Sequence, residues 1–203
     1  VARRPRGEFS NGAWGWTSVA THAMMMAQAA SSPACARVRA QEPVAMMTQT
    51  VPEPGQMAPD FKLRGPGGAF YTLSEHRGES PVVLVFFPLA FSAVCSHQLP
   101  EMQKRLPAFE QAGAVVYGIS VDSHHANAAF ARSLGLTFPL LSDWKHEVSS
   151  AYGVMIPEAG YSGRATFVVG KDGKLLWREI SEETNSLEQV PSPERALAAL
   201  PRA

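Results

Sequence analysis

Cys95 is the side chain of this sequence best placed to do chemistry. It lies within Pro81 to Pro107, PVVLVFFPLAFSAVCSHQLPEMQKRLP, behind an apolar, β-rich run from Val82 to Phe87. That run is short enough for a buried strand and is bounded by Pro81 and Pro88. From about Val94 the spacing turns helical, with Leu99, Met102, Leu106 and Phe109 falling on one face. The cysteine therefore stands where a strand hands over to a helix N-terminus, and Ser92 stands in the same turn. Free N–H groups and the positive end of the helix dipole meet at such a point, and both favour a thiolate over a thiol. A thiol of pKa about 8.5 is only about 3% ionised at pH 7, whereas one near 6 is about 90% ionised, a difference on the order of 3.4 kcal/mol. The competing reading is structural, because an isolated cysteine is more often inert core than nucleophile.

A strand and helix in that relation need a sheet to hold them. Phe61-Lys62-Leu63 alternates, Gly65, Gly67 and Gly68 supply a turn, and Phe70 to Leu73 returns, which predicts an N-terminal β-hairpin. Ser74 to Gly78 reads as a short turn. The helix after Cys95 is expected to end near Ala112-Gly113. Ala114 to Val121 reads as a second buried strand; Asp122 or Ser123 then caps a helix stopped by Gly135. Phe138 to Leu141 is a short extended piece, and Asp143 caps a helix through Tyr152. Ala165 to Val169 and Leu175 to Ile180 pair across the turn Lys171 to Lys174, and Ser192-Pro193 opens a final helix. The order hairpin, β, α, β, α, α, β, β, α predicts an α/β chain with a mixed central sheet flanked by helices, in a thioredoxin-like arrangement. Strand order does not follow from it.

Composition narrows the class. Of 203 residues 45% are hydrophobic and the net charge is zero, which suits a soluble globular domain and gives no reason to expect nucleic acid or membrane as partner. No run of about 18 apolar residues suggests a membrane span. Residues 1–50 are rich in Ala, Ser, Met and Arg, and three readings stand: a disordered tail, a weak targeting segment, or a start assigned upstream of Met46 or Met47. Residues 51–203 form the expected domain. The two cysteines, Cys35 and Cys95, make no disulfide framework and suit a reducing cytoplasm.

Pro88-Leu89-Ala90-Phe91-Ser92-Ala93-Val94-Cys95 carries the pattern Pro, three residues, Ser, two residues, Cys. In this register the chain resembles the peroxiredoxins (AhpC/TSA superfamily), whose active-site loop follows the same strand. The likeness runs from about Gly55 to Leu200. Through FFPLAFSAVC, FPLLSD, AYGV and RATFVV it is similar to the one-cysteine branch related to alkyl hydroperoxide reductase E. The resemblance implies reduction of hydrogen peroxide and organic hydroperoxides, with peroxynitrite as a further candidate, and no cofactor. It makes Cys95 the peroxidatic nucleophile and places the family's active-site arginine at Arg164. Ser92, the Cys95 N–H and Arg164 become donors to the peroxide oxygens, and Pro88 a shield for the thiolate. A homodimer is implied too, with Phe91 available at such an interface.

Two departures accompany the likeness. Gln98 stands three residues after the cysteine, where the family usually has the glutamate that orients its arginine; this implies a looser hold on Arg164 or altered electrostatics. Pro100 occupies one usual position of a resolving cysteine, and no later cysteine exists, so Cys35 is the remaining intramolecular candidate. The expected cycle is one-cysteine, completed by a low-molecular-weight thiol or a redoxin.

Other functions on the same scaffold are weighed against this one. A thioredoxin-type oxidoreductase needs a second thiol, and Cys-x-x-C is missing. Copper delivery wants paired soft ligands. A non-enzymatic redox sensor shares the first oxidation step. His97 reads either as a group that tunes the thiolate or as a solvent-facing residue of the first helical turn; His124 and His125 read as surface residues, no metal-ligand spacing is found, and Trp144 is expected near the core.

Overall fold

The computed structural model describes residues 50–201. Cys35 and the tail readings lie outside them. The chain first pairs β1 (Lys62–Arg64) with β2 (Phe70–Thr72), an antiparallel hairpin whose turn needs positive φ at Gly67 and Gly68. Then follow β3 (Val82–Phe86), α1 (Cys95–Gln111), β4 (Val115–Ser120), α2 (His124–Leu134), β5 (Leu140–Ser142) and α3 (Glu147–Ala151). A small hairpin of β6 (Met155–Ile156) and β7 (Tyr161–Ser162) precedes β8 (Ala165–Val169), β9 (Leu175–Ile180) and α4 (Pro193–Ala198). The main sheet runs β2-β1-β5-β4-β3-β8-β9. Its centre is parallel (β3 with β4, β4 with β5), and β8 and β9 join antiparallel, giving the mixed sheet of a thioredoxin-like fold.

β3 is buried on both faces because helices cover both. Val82, Leu84 and Phe86 enter a cluster with Ile119, Tyr152 and Phe167. Val83, Val85 and Phe87 enter another, with Cys95, Leu99, Met102, Phe109 and Phe130. Fully burying one such aliphatic or aromatic side chain contributes about 1.5–3 kcal/mol, so this strand fixes the middle of the sheet. α1 presents its expected face to the second cluster. Gly113 ends it with φ 70°, a conformation that costs glycine little. Ser123 caps α2 by accepting from the Ala126 N–H, and Ser192 caps α4 by accepting from the Arg195 N–H, with Pro193 in the first turn.

Three expectations change. The piece ending at Leu141 is a sheet strand, β5, reaching Ser142. The helix after Asp143 is only Glu147–Ala151, because a turn takes up Trp144 to His146. Asp143 still serves it from outside, its buried carboxylate accepting from the Val148 N–H (3.1 Å), the Ser149 N–H (2.7 Å) and the Ser149 hydroxyl (2.6 Å). Trp144 is 68% exposed, since that same turn carries it away from the core.

Candidate active site

The site begins where β3 stops. The Phe87 N–H still donates to the Ile119 carbonyl at 3.0 Å, and Pro88, which has no N–H, follows it as a buried residue. The loop from Pro88 to Val94 is then fastened from neighbouring elements. The Ala90 N–H donates to the Asp122 carboxylate at 2.8 Å, and the Ser120 hydroxyl donates to the same oxygen at 3.0 Å. The buried Asn127 anchors the far side: its Oδ1, also 3.0 Å from the Ser120 hydroxyl, shares that one proton with Asp122, and its amide donates to the Leu141 carbonyl at 3.0 Å. Phe91 holds φ at 64°, which costs a bulky residue on the order of 1–3 kcal/mol. Its ring packs 4.9 Å from that of Phe130.

Ser92 is half-buried and does not cap α1 with its side chain. The N-cap is Val94, in helical φ/ψ, and the first turn is tied by the Ser92 carbonyl, which accepts from the Ser96 N–H (2.9 Å) and hydroxyl (2.8 Å). Backbone rather than a side chain thus ties the start of α1, because the chain is already helical at Val94. Among the described residues the Ser92 hydroxyl and the Cys95 N–H take no hydrogen-bond partner.

Cys95 is fully buried at the head of α1. Arg164, 69 residues later, places Nη1 3.4 Å from its Sγ. Sheet register is what joins them. β3 and β8 are antiparallel neighbours with Phe86 opposite Ala165, so Arg164 lies opposite Phe87, on the face that holds Cys95. The guanidinium is 1% exposed. Nη1 also donates to Gln98 Oε1, and Nη2 donates to the Thr184 carbonyl at 2.7 Å. The structure therefore gathers Cys95, Arg164 and Gln98 in direct contact, with Pro88 and Ser92 in the connecting loop. An always-charged donor beside a sulfur, at the N-terminal end of a helix, can offer hydrogen bonds to an oxygen arriving there and stabilise negative charge that develops on it.

Two contributors were missed in the sequence. Thr184 acts through its backbone carbonyl, so no side-chain pattern could mark it. Asp122 was read only as a possible helix cap; Ser123 has that role, and Asp122 pins the loop. His97 and His125 are exposed and His124 is half-buried, and the rings of His124 and His125 stack 4.0 Å apart. Among the described residues no three His, Cys, Asp or Glu side chains converge as metal ligands would. A surface cleft of about 560 Å³ opens beside the loop, lined by Leu89, Asp122, Ser123, Trp144 and His146 among others.

Residues 54–178 match the family model described as the AhpC/TSA family. The chain is 42% identical over 130 residues to alkyl hydroperoxide reductase E of Mycobacterium tuberculosis, spanning 63% of this chain and 85% of that one. It is 32% identical over 150 residues to the chloroplastic 2-Cys peroxiredoxin BAS1 of Hordeum vulgare, spanning 69% and 71%. Among solved structures it is similar to the peroxidoxin BcpB of M. tuberculosis, with TM-score 0.64 and 29% identity over 73% of this chain and 96% of that one. The AhpC of the same organism matches with TM-score 0.65 and 26% identity over 74% and 92%.

Proposed function

The chain belongs to the AhpC/TSA family, that of the peroxiredoxins, and from that premise we propose a one-cysteine thiol peroxidase whose nucleophile is Cys95. The observation that carries the reading is the 3.4 Å contact between Arg164 Nη1 and Cys95 Sγ, buried at the head of α1. The Cys95 thiolate attacks one peroxide oxygen; an S–O bond forms as the O–O bond breaks, and sulfur gives up two electrons. The departing oxygen of hydrogen peroxide or an organic hydroperoxide takes a proton and leaves as water or an alcohol; from peroxynitrite the departing group is nitrite, which leaves as the anion. Arg164, the Ser92 hydroxyl and the Cys95 N–H are assigned as donors to the two oxygens, stabilising charge as it moves between them. Pro88, buried in the loop, restricts access to the sulfur.

Hydrogen peroxide and organic hydroperoxides are the proposed substrates, with peroxynitrite as a third. No cysteine follows Cys95, which supports reduction by an external low-molecular-weight thiol or redoxin. That thiol condenses with the sulfenic acid, releasing water and leaving a mixed disulfide, and a second thiol frees Cys95. A homodimer is proposed as the working form, supported by the exposed apolar side chains Leu89, Phe91 and Trp144. The absence of any helix long and apolar enough to cross a membrane, among the described residues, is consistent with a cytoplasmic enzyme.

Stopped-flow fluorescence of the reduced protein mixed with hydrogen peroxide tests the reading. A second-order phase far faster than a free thiol shows is expected in wild type and in Cys35→Ser, and none in Cys95→Ser. A wild type no faster than a free thiol overturns it. Oxidation without turnover in the presence of excess thiol would mark a redox sensor instead.

A further inference from the structure

The hold on Arg164 is entirely neutral. Its hydrogen bonds go to the Gln98 amide oxygen and the Thr184 carbonyl, and among the described residues no Asp or Glu forms an ion pair with it. At 1% exposure, little of its charge is spread into water. The ionisable group it does touch is Cys95.

We propose that Gln98 is a positioning residue that orients Arg164 without neutralising it, so that the Cys95 thiolate is the counter-anion of a buried guanidinium. This rests on the reading of Cys95 as a thiolate nucleophile. An unmet hydrogen bond accompanies the choice of an amide. Gln98 is 3% exposed and must turn Oε1 toward Arg164, which leaves Nε2 as a buried donor with no acceptor. A glutamate of the same length would offer two acceptor oxygens and orphan no donor there. It would also set a negative charge against the nitrogen that faces Sγ, sharing the guanidinium between two anions and repelling the thiolate. The amide forgoes that hydrogen-bond satisfaction and leaves the charge undivided.

The test uses the full chain carrying Cys35→Ser, so that one thiol is observed, with Gln98→Glu and Gln98→Met compared. Thiolate absorbance at 240 nm is followed against pH, without peroxide, beside the peroxide rate constant over the same range. In Q98E the absorbance rise moves about one pH unit higher, about a tenfold smaller thiolate fraction on its acid side. The peroxide rate lost at pH 7 returns as pH is raised. In Q98M, which is neutral and has no amide oxygen, the Thr184 carbonyl still keeps the guanidinium beside Sγ, so the rise stays within about 0.3 pH unit of wild type, while the peroxide rate falls at every pH because Nη1 is no longer aimed at the incoming oxygen. A merely structural role would slow or destabilise both variants without displacing the absorbance curve of Q98E alone. Q98E titrating with wild type overturns the proposal, as does Q98M moving as far as Q98E is expected to; the second result decides the matter even if circular dichroism shows Q98E unfolded. A wild type inert toward peroxide but showing this absorbance pattern would sink the peroxidase reading and leave the role of Gln98 standing.

Discussion

At Cys95 the guanidinium of Arg164 meets three groups at once: the sulfur, the Gln98 amide oxygen and the Thr184 carbonyl. A flat fork with donors in fixed directions can do this; a lysine ammonium is a single point on a flexible stem. Arg164→Lys keeps the charge and loses the geometry. Its peroxide rate constant is expected to fall about 10²–10³-fold, as when one positioned donor is removed from a developing anion. Stopped-flow traces for R164K beside wild type check this, and a loss under tenfold would mean that charge alone suffices. Trp177 is the residue to watch in such traces. It packs against the cluster that contains Cys95, whereas Trp144 is largely in solvent, so Trp177→Phe should remove most of the fluorescence change and Trp144→Phe little of it.

The loop between β3 and α1 is an element held from outside itself. Its one bulky positive-φ residue, Phe91, persists because Asp122 fixes the Ala90 N–H and Phe130 receives the ring. Asp122→Ala leaves that N–H without its acceptor, while the Ser120 hydroxyl keeps Asn127. Urea unfolding should show a loss of about 1–3 kcal/mol, together with a slower peroxide reaction, because Ser92 and Cys95 hang from the same loop. A variant as stable and as fast as wild type would show that the loop holds itself. Helix α2 depends on the adjoining residue in a different way: Ser123→Ala removes its cap, worth about 1 kcal/mol, without touching the loop.

For the whole molecule, two buried tyrosines are expected to contribute to a loss of stability at alkaline pH. Burial first, then Tyr71 and Glu75 nearby, push the Tyr117 phenol up to about 12; its oxygen lies 2.7 Å from His76 Nε2. Burial, with Asp60 adding to it, also raises Tyr152, whose hydroxyl donates to the Pro59 carbonyl. Both stay protonated in the folded chain at pH values where the unfolded chain, with phenols near 10, has released its protons. The folded state binds more protons there, so their contribution is full below about pH 10 and is lost as pH rises toward 12. Unfolding monitored against pH should show this alkaline fall, and Tyr117→Phe should make it shallower. An unchanged slope would remove Tyr117 as a cause.

Much of this was legible in the chain itself, and what was legible is local or periodic. The two-sided burial of Val82 to Phe86, the face of α1, the stops at Gly113 and Gly135 and the cap at Ser192 each follow from neighbours a few residues apart. The Pro88, Ser92, Cys95 spacing is of the same kind. Arg164 could be singled out only by resemblance, since nothing near it in sequence distinguishes it from a solvated arginine. Its burial and its contact with Cys95 come from antiparallel pairing of strands nearly eighty residues apart, a register that turns, bulges and packing settle together. The two-residue strands β6 and β7 were too short to show a period. Thr184 entered the site through a carbonyl that every residue possesses, so only the path of the chain could bring it there. Periodicity thus determined the elements, and local spacing marked Cys95 as the candidate nucleophile; tertiary structure decided which distant groups surround it, because hydrogen bonds across a sheet depend on register and on backbone position rather than on residue type.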